Sequence, residues 1–430
     1  MKIERTDRQI LKPTSSAEEA AGLVLLSSSD LAIPRVHVEV LYAFNAPSPP
    51  TSLLKENLCK VLNNYREWAG RLTKDASGRP AIELNDAGVV FIEAHADGDL
   101  QDIWPFNPSQ VLLDLIPFNR GVPELLLIQV TRFACGGLSL GVARHHQVAD
   151  GEAASEFMEA WSSAVKGLPI TCKPIHDRSA LMPRDPPMPI FEHKEYQSPP
   201  PKPGKVTAIE CPDLAIKKFH FSAELLKKIK AAAAKDLQEG KSYSTFVGLL
   251  GHVWKCVTKA RGLGDEEGET RVTVSVNVRK RIDPPLPAGY FGNAMCHTCP
   301  QTKMKDLVSK PLSFAASQIH DAIKKVNNDY VQSALDFIEL QQKNPVQIAR
   351  TAKTVLSPNL SVTSWATLPL YNLDFGWGTP MFAGNPYIPF EGLVIFAPSH
   401  KKDGSIDVVL GLFAPDMEKF EAICFDLQNE

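Results

Sequence analysis

The stretch from Met182 to Pro212 constrains the fold more than any other. It contains MPRDPPMPIF and QSPPPKPGK. Prolines at that density fix φ and remove backbone donors, so neither a helix nor a central strand can form there. The chain therefore reads as two halves, residues 1–181 and 213–430, joined by a long ordered crossover over 182–212. Each half is close to the usual size of one domain. Apolar residues make up 44% of the 430 and charged residues 22%, which leaves material for two cores. No internal repeat is visible.

Periodicity places elements on this frame. ELLLIQVTRFACGGLSLGVAR predicts a hairpin turned by Gly136 and Gly137. Its first arm is continuously apolar, as in a strand buried on both faces. The second arm runs into His145 and His146. After Gly151, Ala154, Phe157, Met158, Trp161 and Val165 recur at helical spacing, and Gly167 is a fitting C-cap. In the second half Ser222 should cap AELLKKIKAAAAKDLQ. STFVGLLGHVWKCVTKARG reads as a more buried helix and TRVTVSVNV as a strand. GLVIFAPSHKKDGSIDVVLGLF reads as a hairpin around Asp403 and Gly404. The class is α/β with mixed sheets.

Several function classes are disfavoured. A net charge of −3 argues against nucleic acid as the main partner. No run of about 18 apolar residues suggests a membrane span. The N-terminal MKIERTDRQILKP carries charges where a secretory h-region would sit, so the expected compartment is the cytoplasm. Most of the cysteines lie in apolar runs and are expected to be reduced. CHTC at 296–299 lacks the second pair or histidine pair that a zinc or redox site needs.

The segment VARHHQVADG, residues 142–151, carries the chemistry. His146 and Asp150 could be two metal ligands, but spacing signals no third, so no metal is expected. A histidine satisfied inside the core is the bland alternative. The strand-to-helix corner, the polar RHHQ run and Gly151 favour a general base instead. Neutral imidazole can take a proton from an attacking hydroxyl or amine.

DFGWG stands at Asp374–Gly378. The ordered pair of H-x-x-x-D-G and DFGWG is similar to the signature of the plant BAHD acyltransferases, which use acyl-coenzyme A donors. YREWAGRL at 65–72, GHVWKCVTKARGL at 251–263, RIDPPLPAGYFGN at 281–293 and VTSWATLP at 362–369 also resemble that family. The resemblance covers nearly the whole chain. It implies two chloramphenicol-acetyltransferase-like domains, with mixed β-sheets flanked by helices and a solvent channel between them. His146 would be the base, with His145 as support at best. Asp150 would hold the loop through an ion pair. Asp374, with Phe375, Gly376, Trp377 and Gly378, would be a structural motif, Asp374 pairing with an arginine of NVRKR. Arg279, Lys280 and Arg281 would lie near the coenzyme A phosphates, although Lys280 also reads as a solvated turn. Ser244 and Thr245 would offer hydroxyls and helix N–H groups to the donor. Thr363 and Trp365 would face the thioester carbonyl, with core packing an equal reading for Trp365. The acyl group would pass directly to the acceptor. Coenzyme A would be a co-substrate, no cofactor would be needed, and the protein would be a monomer.

The acceptor is read from departures. Shikimate and quinate enzymes of this family carry small polar residues in the strand after PxxH, where this chain has Val38 and Val40, with Tyr42 next on that face. They also carry an arginine where this chain has Thr367, and threonine cannot replace a bidentate partner for a carboxylate. YAFNAPSPP, LLLIQVTRFACGGL and PIHDRSALMPRDPP resemble instead the members that transfer hydroxycinnamoyl groups to agmatine, tryptamine or tyramine. Asp336 and Glu339 could anchor a distal cation, and a solvated helix face explains them equally well. Transfer to an alcohol, or to spermidine or putrescine, remains open. A condensation-type domain would need a carrier for which the chain has no room, and a binding protein would tolerate loss of His146.

Overall fold

The computed structural model describes residues 1–15, 22–197, 214–342 and 357–427. Two compact units divide the chain. The first comprises Met1–Pro183, Pro284–Ala294 and Leu368–Tyr387, and the second Arg184–Asp283, Met295–Thr367 and Ile388–Glu430. Each is an α/β unit with a mixed sheet flanked by helices.

The strands of the N-terminal region are β1 (Ile3–Leu11), β2 (Leu23–Leu25), β3 (His37–Phe44), β4 (Arg71–Lys74), β5 (Pro80–Glu83), β6 (Val89–Ala96), β7 (Leu126–Phe133) and β8 (Leu138–His145). Its helices are α1 (Ser28–Leu31), α2 (Thr51–Val61), α3 (Gln110–Asp114) and α4 (Gly151–Val165). The main sheet runs β1-β6-β7-β8-β3, and a later strand, β14 (Phe382–Gly384), completes its edge against β3. Only β6 and β7 pair in parallel. A small sheet has the order β2-β5-β4. The β7–β8 hairpin forms where the sequence predicts it, with Gly136 at φ +79°.

Strand β3 has two distinct faces, as its period-two alternation requires. Leu41 and Ala43 enter the core with Ala143, Phe106, Ile116 and Phe382. Val38, Val40, Tyr42 and Phe44 take the other face, paired in register with Arg144, Val142, Leu140 and Leu138 of β8.

The second unit holds β9 (Leu214–Phe221), β10 (Glu269–Asn277), β11 (Met295–Thr298), β12 (Gln301–Lys303), β13 (Leu360–Ser364), β15 (Leu393–Pro398) and β16 (Ile406–Phe413). They run β11-β10-β13-β15-β16-β9, with β12 also on β10. Strands β10, β13 and β15 are mutually parallel. Around them lie α5 (Ala223–Ala233), α6 (Thr245–Ala260), α7 (Met304–Ser309), α8 (Leu312–Lys325), α9 (Asn328–Gln342) and α10 (Ala414–Ile423). No helix among the described residues is long and apolar enough to cross a membrane.

The units are not the two continuous halves expected from the proline stretch. Residues 368–387, DFGWG included, belong to the first unit. The cause is aromatic packing and strand pairing. Phe375 lies 6.1 Å from Phe44 and 5.1 Å from Trp161, centroid to centroid, and β14 pairs with β3.

The crossover is described only as far as residue 197, and the rest of it lies outside the described residues. Its described part is pinned to α9. Asp336 accepts from the Arg184 amide (2.8 Å), the Arg184 Nε (2.7 Å) and the Met188 amide (3.0 Å). Ser333 Oγ accepts from the amides of Ile190 and Phe191 at 2.9 and 3.0 Å. Asp336 is fully buried and committed to Arg184, so it is not an anchor for an acceptor cation. Asp336→Ala should cost about 3 kcal/mol, the low end for a broken buried pair, because Arg184 can rehydrate. Urea unfolding reads this, and an unchanged acceptor KM would agree with the purely structural role.

Candidate active site

The His146 corner is built by backbone on both sides. Strand β8 ends at His145, whose amide donates to the Leu125 carbonyl (2.8 Å). The His146 amide donates to the Val36 carbonyl at 2.9 Å, extending the β3–β8 ladder by one step. Asp150 then caps α4, accepting from the Ala153 amide on Oδ1 (3.0 Å). Its Oδ2 accepts from the Ala294 amide (2.9 Å). Asp150 is therefore a buried cap and tie, with Arg144 the cation that feels its charge.

Beneath the loop lies a polar clamp that the sequence reading missed. Asp30 accepts from Arg178 Nη1 (2.8 Å), and from the Asn293 amide and Nδ2 (both 2.9 Å). Arg178 Nη2 donates to the Val148 carbonyl (2.9 Å), and Asn293 Nδ2 to the His146 carbonyl (2.9 Å). All three side chains are buried. Two of them lie in stretches already noted as distinctive, PIHDRSALMP and RIDPPLPAGYFGN, but nothing local says that they meet.

His146 is half-buried. Burial is the main cause that holds its pKa below the usual histidine value, and the Arg144 charge adds to it. Its own main-chain carbonyl, the Asp150 charge and Asn293 oppose the shift. The ring is thus neutral at pH 7 and able to accept a proton.

His145, on the opposite face and 5.2 Å from the His37 ring, is pushed down to about 3, chiefly by burial. The unfolded chain binds a proton near pH 6.5 and the folded state does not until about 3, so stability falls as pH drops through that window. Thermal unfolding from pH 7 to 4 should show this fall, with a shallower slope in His145→Phe.

Of the residues expected near the acceptor, Val40 and Tyr42 are buried and Val38 half-buried. Burial pushes the Tyr42 phenol up to about 12. The Asp374 carboxylate takes its partners from its own turn, accepting from the Gly376 and Gly378 amides at 2.8 and 3.1 Å. Lys166, not an arginine of NVRKR, is the cation beside it. Gly376 and Gly378 sit at φ +103° and +107°, where a side chain would be strained. Phe375 and Trp377 stack at 5.1 Å, and both meet Phe44. Asp374→Ala should loosen this staple by about 1–3 kcal/mol, as expected for amides losing a charged acceptor. Denaturant titration measures it.

The remaining predicted residues lie in the second unit. Trp365 is buried, its amide donating to the Phe396 carbonyl (2.7 Å), and its indole N–H has no hydrogen bond among the described residues. Thr363 is half-buried on β13 and Thr367 exposed. Ser244 caps α6 through the Val247 amide (3.2 Å) and is exposed, with Thr245 half-buried beside it. Arg281 donates Nη1 to the Ile323 and Val326 carbonyls (3.0 and 2.9 Å), so it closes the C-terminal end of α8. Arg279 is buried and Lys280 exposed, which makes Lys280 the most accessible cation of the three. Burial pushes the Cys296 and Cys299 thiols up to about 12 and 11, the opposite of what a zinc or redox pair needs. No group of potential metal ligands is found among the described residues.

Comparison with known proteins places this geometry. The family profile described as Transferase family matches residues 1–425. Shikimate O-hydroxycinnamoyltransferase of Nicotiana tabacum is 38% identical, with 99% of this chain and 100% of that protein covered. Agmatine hydroxycinnamoyltransferase 1 of Oryza sativa subsp. japonica is 39% identical, with 99% of each covered. Among solved structures, F. graminearum TRI101 complexed with coenzyme A and deoxynivalenol superposes with a TM-score of 0.79 at 19% identity. It covers 95% of this chain and 98% of that one.

Proposed function

The chain belongs to the BAHD transferase family, and on that premise we propose that it moves a hydroxycinnamoyl group from coenzyme A to a small primary amine. The sequence resemblance favours an agmatine, tryptamine or tyramine skeleton for that amine. The observation that carries the proposal is His146, a neutral imidazole on a loop clamped by Asp30, Arg178 and Asn293. Relatives named for agmatine and for shikimate share hydroxycinnamoyl transfer, which supports the donor. Thr367 in place of arginine supports an amine over shikimate.

The acceptor nitrogen attacks the thioester carbonyl as His146 takes its proton. The C–S bond then breaks, and the departing thiolate recovers the proton from the imidazolium. No covalent acyl-enzyme and no cofactor are required. In the second unit, the open groups suited to the donor are the Trp365 indole N–H, the Thr363 hydroxyl, the exposed α6 N-terminus at Ser244 and Lys280. Transfer to the shikimate hydroxyl is the second reading, favoured by the tobacco relative.

Thiol release from p-coumaroyl-CoA, with the product mass recorded, separates them. Agmatine, tryptamine, tyramine, putrescine, spermidine, shikimate and quinate are supplied in turn. Amide formation with an amine is expected, and ester formation alone would overturn the amine reading.

A further inference from the structure

Arg144 stands two residues before His146 on β8, directly opposite Val38. It is only 7% exposed. No hydrogen bond or ion pair joins it to any described residue. Two other buried arginines differ from it: Arg66 is paired with Asp86 and Arg178 with Asp30. The carboxylate whose field Arg144 feels is Asp150, and both its oxygens are held by the Ala153 and Ala294 amides. Tyr42 shares this face, its phenol also buried and without a hydrogen bond among the described residues.

A guanidinium removed from water without a counter-ion is costly, and a bidentate carboxylate is the partner that relieves it best. We propose that Arg144 binds a carboxylate carried by the acceptor, so that the preferred amine is an amino acid or aminobenzoate and not its decarboxylated counterpart. The inference rests on the amine-acceptor reading and deepens it. An arginine on β8 would then serve the function that Thr367 cannot. The same charge disfavours a second cation near the reacting nitrogen, which bears against bare agmatine.

Matched acceptors test this with p-coumaroyl-CoA: tyrosine against tyramine, tryptophan against tryptamine, arginine against agmatine, and anthranilate against aniline. Wild type should favour the acid of at least one pair by roughly tenfold or more in kcat/KM, the scale of one charge-assisted hydrogen bond. Arg144→Met should collapse that ratio toward one, and Arg144→Lys should restore part of it. Preference for the decarboxylated member in every pair would overturn the proposal, as would an unchanged ratio in Arg144→Met. If Arg144→Met does not fold, the wild-type ratio and the lysine variant decide. Transfer to shikimate alone would sink the amine reading and leave Arg144 to be judged separately. A preference for shikimate over its methyl ester that Arg144→Met abolishes would uphold its role, and an equal preference in the variant would reject it. No transfer to any compound overturns both.

Discussion

His146→Ala keeps the fold and loses the reaction. We expect kcat/KM to fall by about 10²–10⁴-fold, the usual contribution of a positioned general base. The urea midpoint should stay near wild type. Alanine preserves the amide bond to Val36 and the carbonyl that Asn293 holds, so the loop keeps its path. The acid limb of the wild-type pH–rate profile should lie below the ordinary histidine pKa, because burial and Arg144 favour the neutral ring. Equal activity in the variant would remove His146 from the chemistry.

The second large effect is at Asp30. Asp30→Ala should destabilise by about 3–5 kcal/mol, since it leaves Arg178 as an uncompensated buried charge. Arg178 is 3% exposed and Asp30 0%. The loop should also lose definition, because Arg178 and Asn293 hold the Val148 and His146 carbonyls. Activity should therefore fall further than the folded fraction accounts for. In a cycle of wild type, Asp30→Leu, Arg178→Leu and the variant carrying both, the double loss of stability should be smaller than the sum of the two single losses, as coupled neighbours require. Chemical denaturation of the four proteins measures the coupling, and strict additivity would mean that the pair does not act as one unit.

The sequence conveys local structure well. The β7–β8 hairpin and α4 follow from apolar runs, paired glycines and a glycine C-cap, all within a few residues of each other. Contacts between distant segments are where it falls short. Residues 368–387 join the first unit because β14 finds β3 and Phe375 finds Phe44, and neither partner is marked by spacing. Asp336 looks like a residue on a solvated helix face until Arg184 and Met188 dock on it. Arg281 reads as part of a basic turn, yet the end of α8 lies within its reach. Arg144 shows the same limit in reverse. It lies inside the very motif that identifies the base, but only the fold reveals that no carboxylate among the described residues forms an ion pair with it.

The central claim is that this chain transfers an acyl group from coenzyme A to an amine with His146 as the base. Its most direct test is the mass-identified product of p-coumaroyl-CoA and the amine panel, with wild type and His146→Ala side by side. The account predicts one equivalent of free thiol per amide formed in wild type, and almost none in the variant. Thiol release without amide, or the same amide yield from both proteins, would contradict it.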